Sequence, residues 1–294
     1  MREHGDVVAF DAKLRELLNR GIDQPGPILI LTGSGISAES GIPTFRGEEG
    51  YWTVGSTVYQ PTELATREAF EAQPHDVWSW YLYRRSICHA AEPNDAHRAL
   101  ASLERALHHD VHLVTQNVDG LHLRAGSTLE RMYQIHGNLD FMRHDDVGER
   151  TPILLPPEIE LERVRGQTLS KIEVEALTHS SGVLGRPHVL WFDECYDEEI
   201  YHFESSLEVA MNASMVVVIG TSGATNLPVR VAMVAARRNI PLVVMNLHAD
   251  SHFVEIAKMT ESGWFEQGRA AELVPKMADY LIGRGPGPTR GRMA

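Results

Sequence analysis

The sequence predicts an α/β fold: a doubly wound, Rossmann-like parallel sheet with a smaller second lobe made from two inserts. Three observations carry this. Apolar runs bounded by turn residues recur at 27–32, 111–115, 188–192, 215–220 and 241–246, with helical stretches between most of them. The runs are continuous rather than alternating, as in strands covered on both faces, and strand–helix alternation makes a sheet parallel. A glycine-rich turn, Gly33-Ser34-Gly35-Ile36-Ser37-Ala38, follows the first run directly.

Taken in order, Val7, Val8, Phe10, Leu14, Leu17 and Leu18 stand at helical spacing, with Gly21 as the stop. The strand at 27–32 leads into the glycine turn, which satisfies G-x-G-x-x-A. Its first glycine permits a tight turn, and its second lets backbone approach a pyrophosphate. An ordinary dinucleotide fingerprint continues through one helix, with an acidic residue about twenty positions on that holds the ribose. Here the stretch from Gly41 to Gly47 interrupts the helix, and Glu48 and Glu49 sit in a loop, which disfavours a conventional dehydrogenase. Residues 46–98 read as loop plus helices, and 139–185 as a second insert in which Pro156-Pro157 precedes a half-exposed strand at 158–162. A single catalytic domain then spans 1–283, its core formed by about 1–45, 99–138 and 186–283, its small lobe by 46–98 and 139–185. Residues 284–294 form a tail.

Composition narrows the class. Among 294 residues, 27 Lys plus Arg oppose 40 Asp plus Glu, a net charge of −13. That sign excludes general affinity for nucleic acid or anionic membranes and favours basic substrates. Cys88 and Cys195 form no CxxC pair, which fits a reducing compartment. The first twenty residues are too charged for a signal peptide, and no apolar run reaches spanning length, so a cytoplasmic protein is expected.

Two further stretches place chemistry at strand ends. Thr115-Gln116-Asn117-Val118-Asp119-Gly120-Leu121-His122 follows the strand near 112–114, clustering amide, carboxylate and imidazole groups where ligands bind in this architecture. Ile135-His136-Gly137-Asn138 closes another short strand. On their own, an imidazole after a strand is more often a cap or core residue, and Asn-x-Asp-Gly is a common turn.

Together TGSGISAESGIPTFRG, TQNVDGLH, QIHGN, RPHVLWFDE, IGTS and VVMN, in this order over about residues 28–280, closely resemble the sirtuins, NAD-dependent protein lysine deacylases. The resemblance implies that the acyl-lysine oxygen attacks the anomeric carbon of the nicotinamide ribose, releasing nicotinamide and yielding O-acyl-ADP-ribose. It makes His136 the general base, with Asn117 and Asp119 fixing the ribose and nicotinamide ends beside Gln116. Ile42 and Phe45 shield the centre from water. Gly33, Ser34, Gly35 and Arg46 hold phosphate, Thr221 and Ser222 phosphate and ribose, and Asn246 the adenosine ribose. The stretch Gly268-Arg269-Ala270 resembles the loop beside the adenine. Val189 to Phe192, including Trp191, resembles the segment that pairs with substrate as an added strand.

Tyr81 and Arg84, three residues apart, share one helical face. In the desuccinylase and demalonylase branch such a pair binds the acyl carboxylate, as a guanidinium fork suits, and Pro43-Thr44-Phe45-Arg46 also resembles that branch. Glu48 departs from it. The family's two zinc-binding Cys-x-x-Cys pairs fall on His144, Val147, Thr178 and Ser181, none of them cysteine, so no zinc is expected. An apolar set, Ile153, Leu154, Leu155, Ile159, Leu161, Val164, Leu169, Ile172 and Leu177, is expected to hold the insert instead. The stretch from Gly223 to Pro228 is a second departure. NAD glycohydrolysis, ADP-ribosyl transfer and a non-catalytic NAD or ADP-ribose sensor are the competing functions; nothing in the sequence speaks to oligomeric state.

Overall fold

The computed structural model describes residues 10–42, 52–54, 57–107 and 111–284. Phe45, Arg46 and Glu48, the histidines at 108 and 109, Val7, Val8 and the tail from 285 lie outside them.

Along the chain the elements are α1 (Ala12–Asp23), β1 (Ile28–Thr32), α2 (Gly35–Ala38), β2 (Trp52–Val54), β3 (Thr57–Tyr59), α3 (Pro61–Leu64), α4 (Arg67–Ala72), α5 (Pro74–Ala90) and α6 (Asp95–Leu107). Then come β4 (Val111–Thr115), α7 (Leu121–Ala125), β5 (Met132–Gln134), β6 (Gly137–His144), β7 (Glu149–Leu154), α8 (Lys171–Leu177) and β8 (Arg186–Val189). The last third holds α9 (Glu198–Tyr201), α10 (Phe203–Asn212), β9 (Met215–Ile219), α11 (Asn226–Arg237), β10 (Leu242–Asn246), α12 (His252–Lys258), β11 (Gly263–Gln267) and α13 (Ala270–Arg284).

Six strands form one sheet, β11-β10-β9-β1-β4-β5, parallel throughout. Counted along the chain this is the order 3-2-1-4-5-6, so the chain reverses direction across the sheet between β1 and β9, where such sheets open a ligand crevice. Both faces are buried, which explains the unbroken apolar runs. Ile28, Ile30, Val217 and Val243 meet α1, α6 and α13 on one face. Leu29, Leu31, Val216 and Val244 meet α10, α11 and α12 on the other. A second, antiparallel sheet, β7-β6-β8, joins α5 and α8 in the small lobe, with Trp78, Leu82, Met142, Ile159 and Leu177 at its centre. Among the described residues, no helix is long and apolar enough to cross a membrane.

Several expectations give way to tertiary context. Of the run at 188–192 only His188 and Val189 lie in a strand, β8 of the small sheet rather than a core strand, and the hairpin β2–β3 and strand β11 were not foreseen. Gly21 does not stop α1. It lies inside the helix, where a Cβ would come within 2.7 Å of the Met215 Cβ, so its role is close packing on β9. The expected boundary at 98 falls within α6, whose Ala96 and Leu100 both enter the core. No strand forms at 158–162: the Ile159 amide donates to the Pro156 carbonyl at 3.0 Å, a turn that buries Ile159 and exposes Leu161. In the expected apolar set Ile153, Leu154, Val164 and Ile172 are likewise exposed, the first two because β7 is an edge strand with a largely solvated surface.

Candidate active site

The crevice is built by backbone that continues sheet pairing past the strand ends. The Gly33 amide donates to the Ile219 carbonyl at 3.1 Å, Gln116 to Thr32 at 3.0 Å, and Gly220 to Met245 at 3.0 Å. Gly35 donates to the Gly220 carbonyl at 2.7 Å. A Cβ on Gly35 would lie 2.7 Å from that oxygen, so the G-S-G turn and the end of β9 touch only because both carry glycine. The loops after β1, β4 and β9 are thus locked together at the switch point.

The side chains on those loops form one network. Asn117 Nδ2 donates to the Gly33 carbonyl at 3.1 Å and to Ser37 Oγ at 3.0 Å. Ser37 Oγ in turn donates to Asp119 Oδ2 at 2.7 Å, while the Leu121 amide donates to Asp119 Oδ1 at 2.9 Å. Burial raises the Asp119 carboxyl above its ordinary range against these bonds. Ser37 Oγ also meets His97 Nε2 at 3.4 Å, and His97 packs on His122, which bonds Thr32 Oγ1 at 3.1 Å. Burial pushes His97 down to about 4.

His136 follows β5 and reaches the same crevice. Its Nδ1 stands 3.0 Å from the Gln116 carbonyl, and its Nε2 is 2.7 Å from the Tyr196 hydroxyl. A carbonyl only accepts, so Nδ1 carries the proton and Nε2 presents its lone pair to the phenol. Burial pushes the imidazole down to about 4, so the ring is neutral at pH 7. Gly137 beside it takes φ +86°, and a Cβ there would collide with the His188 carbonyl of β8. This glycine therefore holds β6 and β8 together immediately after the histidine.

Gln116 Nε2 donates to Thr221 Oγ1 at 2.9 Å, and Thr225 Oγ1 donates to Gln116 Oε1 at 3.1 Å. Asn246 Nδ2 donates to the Thr221 carbonyl at 2.9 Å. Ser34 precedes α2 and is exposed, as is Ser222. Exposed Arg269 precedes Ala270, the first residue of α13, and the neighbouring Ala271 amide donates to Glu39 Oε1 at 3.3 Å.

Ile42, Tyr81, Val118, Val189 and Trp191 share one apolar cluster between sheet and small lobe. Trp191 Nε1 donates to the Tyr81 hydroxyl at 3.1 Å, and the buried Arg84 guanidinium lies 5.5 Å from the Trp80 ring. Phe192, by contrast, is exposed. The Leu190, Trp191 and Phe192 amides donate to His136, Glu194 and Ala65 respectively. An added peptide strand at this segment would therefore have to pair through carbonyl oxygens.

Of the positions expected to lack zinc ligands, His144 lies 5.2 Å from the His179 ring, and Ser181 Oγ is 2.8 Å from His179 Nδ1. Among the described residues no group of three His, Cys, Asp or Glu side chains is arranged to hold a metal ion. Ionic contacts are concentrated nearby: Arg163 pairs with Glu173, Arg186 with Glu194, and Arg143 with Asp145 at 3.1 Å.

Sequence reasoning did not single out Ser37, His97, Tyr196 or Thr225. Ser37 stood inside the quoted fingerprint and Thr225 inside the noted departure at 223–228. Nothing local marked Tyr196 or His97, which long-range packing brings to the site.

The Sir2 family model matches residues 33–226. An NAD-dependent protein deacylase of Leptospira interrogans is 35% identical over 269 residues, covering 92% of this chain and 98% of the relative. The mitochondrial NAD-dependent protein deacylase sirtuin-5 of Danio rerio is 37% identical over 237 residues, covering 75% and 73%. Among solved structures, a Sir2 homologue in complex with NAD superposes with TM-score 0.73 at 29% identity, covering 92% of this chain and 94% of the other. A mutant Sir2 homologue in complex with 2′-O-acetyl ADP ribose gives TM-score 0.73 at 30% identity, covering 94% and 98%.

Proposed function

We infer from membership of the Sir2 family, to which this chain belongs, that it is an NAD-dependent protein lysine deacylase. The observation that carries this is the convergence of His136, Asn117, Asp119 and the Gly33–Ser37 turn at the switch point of the sheet. A structurally similar relative holds NAD and another holds an acetylated ADP-ribose.

The donor set fits the cofactor. Gln116, Asn117, Thr221, Ser222 and Asn246 offer neutral amides and hydroxyls suited to ribose hydroxyls and a carboxamide, and Gly33 and Gly35 let the β1 turn lie close against Thr221 and Gly220. When bound, NAD supplies an anomeric carbon with nicotinamide as leaving group. His136 Nε2 takes a proton from a ribose hydroxyl, an act open to it at neutral pH because burial keeps the ring unprotonated. Asn117 and Asp119, fixed by Ser37, orient the nicotinamide end. Ile42, in the apolar cluster beside the crevice, would keep water from the reacting centre. In the same reading Ser34 would serve the phosphates, Arg269 and Ala270 the adenine, and Val189, Trp191 and Phe192 the peptide, while Arg46 falls outside the described residues.

The finer proposal concerns the acyl group. Burial lowers the Arg84 pKa, the mark of a desolvated cation. Succinyl or malonyl carboxylates would offset that cost, with the Tyr81 phenol beside them. Succinyl-lysine should therefore be turned over faster than acetyl-lysine, and Arg84→Met should lower that ratio about tenfold or more, as removal of one charged hydrogen bond predicts. Equal turnover of the two peptides, or a ratio untouched by the substitution, contradicts it.

We further propose that the small lobe does without zinc. Its three buried or half-buried ion pairs and the Trp78–Met142–Leu177 cluster support this. Stoichiometric zinc in purified protein would count against it. A cytoplasmic location belongs to the same proposal, supported by Cys88 and Cys195 remaining free thiols.

A further inference from the structure

Two features stand outside the mechanism above: the departure at 223–228 and a tyrosine that local sequence did not mark. They meet around His136 and the Gln116 that holds it. The Tyr196 hydroxyl donates to His136 Nε2 at 2.7 Å, because the opposite nitrogen is committed to the Gln116 carbonyl at 3.0 Å. The two rings lie nearly parallel, with centroids 5.8 Å apart, and Phe203 stacks on Tyr196 at 6.2 Å. The phenol is therefore held as a plane and not only at its tip. Its hydroxyl also meets the Thr225 side chain, and Thr225 Oγ1 in turn donates to Gln116 Oε1 at 3.1 Å. The loop from His136 through Tyr196 and Thr225 thus closes on Gln116, the residue whose backbone already fixes Nδ1.

We propose that Tyr196 is a positioning residue for His136, with Thr225 as its anchor. The pair fixes the imidazole in the tautomer with Nδ1 protonated and the lone pair on Nε2, and the phenol must turn its proton away before that nitrogen takes one from a ribose hydroxyl. The inference rests on the reading of His136 as general base.

Two physical consequences follow. A donor held on Nε2 favours the neutral ring, since protonation of that nitrogen obliges the buried phenol to turn its own proton away and accept instead; removing the donor makes the ring easier to protonate. Without the phenol, the ring is also freer to turn and exchange tautomers, which lowers the fraction poised to act. The groups bonded to the imidazole are the Gln116 carbonyl and the Tyr196 phenol, and no charged side chain bonds it among the described residues. The phenol, pushed up to about 12 mainly by burial, stays protonated as a donor at neutral pH.

The test uses the full chain with Tyr196→Phe and Thr225→Val. Nitrogen-15 spectra of the histidine side chains, followed through pH in the absence of substrate, report the His136 tautomer and its titration directly. In Tyr196→Phe the titration should rise by about 0.5–1 pH unit, the equivalent of one hydrogen bond. Signal from the Nε2-protonated tautomer should also appear. Where acyl-lysine turnover is measurable, the acid limb of kcat/KM should move up by the same amount, with kcat falling more than KM for NAD rises. Thr225→Val should move both readouts in the same direction by less, and it serves alone if Tyr196→Phe fails to fold. Unmoved His136 titration and tautomer in a folded variant overturn the proposal. So does a Tyr196→Phe enzyme that is faster with a lower KM for NAD, because the phenol would then be a plug that substrate displaces. The spectra need no activity, so absence of deacylation in the wild type would count against the functional reading and leave the positioning role separately judged.

Discussion

The crevice and the small lobe bury polar groups in opposite ways. Apart from Asp119, the crevice network is made of uncharged groups: Thr32, Ser37, His97, Thr115, Gln116, Asn117, His122 and His136, linked through hydroxyls, amides and imidazoles. The lobe uses full charges. Arg163 and Glu173 are both buried, and Arg186 is bonded to Glu194 while stacked 3.5 Å above the Trp191 ring. A neutral network presents fixed dipoles to a substrate without a counter-charge that the substrate must displace. An ionic one adds specificity to a region with a modest apolar core, at the risk of large losses when one partner is removed.

The contrast can be broken from either side. The largest effect should come from His136→Ala, with turnover falling about 10²–10⁴-fold, the usual contribution of a general base, while the unfolding midpoint stays near wild type. Rate measurement beside a thermal melt checks both halves. Next, Glu173→Gln should leave Arg163 buried without its counter-ion and cost about 3–5 kcal/mol, read from denaturant titration. A cost near zero would show that the lobe is not held by its charges.

Acid should act on both regions. Burial pushes His97 of the crevice down to about 4, and burial aided by Arg143 and Arg186 pushes His188 of the lobe to about 3. Between about pH 6.5, the ordinary titration point of histidine, and these values, the unfolded chain binds protons that the folded chain refuses. Stability should therefore be level with respect to these groups above about pH 6.5 and fall as pH drops toward 4. His97→Gln should flatten part of that slope, which chemical denaturation at a series of pH values measures. The smallest effect should be that of a chelator: addition of EDTA is expected to leave the melting temperature within about 1 °C, less than the shift a 1 kcal/mol change would give.

What the sequence made legible follows from which interactions are local. The strands at 28–32, 111–115, 215–219 and 242–246 are apolar on both faces, and this alone marked them as central. β11 was missed because Gly263-Trp264-Phe265-Glu266-Gln267 is only partly buried at the sheet edge and carries polar residues. The run at 188–192 is as apolar as a core strand, but only its first two residues are strand, antiparallel to β6, a pairing that hydrophobicity does not encode. In the crevice, Asn117 and His136 lie two residues past β4 and β5, a position that is bland by itself, and they were singled out by the family motifs around them. Tyr196 was not: it lies 60 residues from His136 in the chain, in a segment whose local pattern resembles any loop. Its placement depends on the stacking of Phe203, which only the folded chain supplies.

The central claim is that this crevice spends NAD to remove acyl groups from lysine. Its most direct test is mass spectrometry of reactions holding NAD and matched acetyl-, malonyl- and succinyl-lysine peptides, run with wild type and His136→Ala. The account predicts O-acyl-ADP-ribose in proportion to free lysine, highest with the acidic acyl groups and lost in the variant. Release of nicotinamide with no deacylated peptide, or no product of either kind, would contradict it.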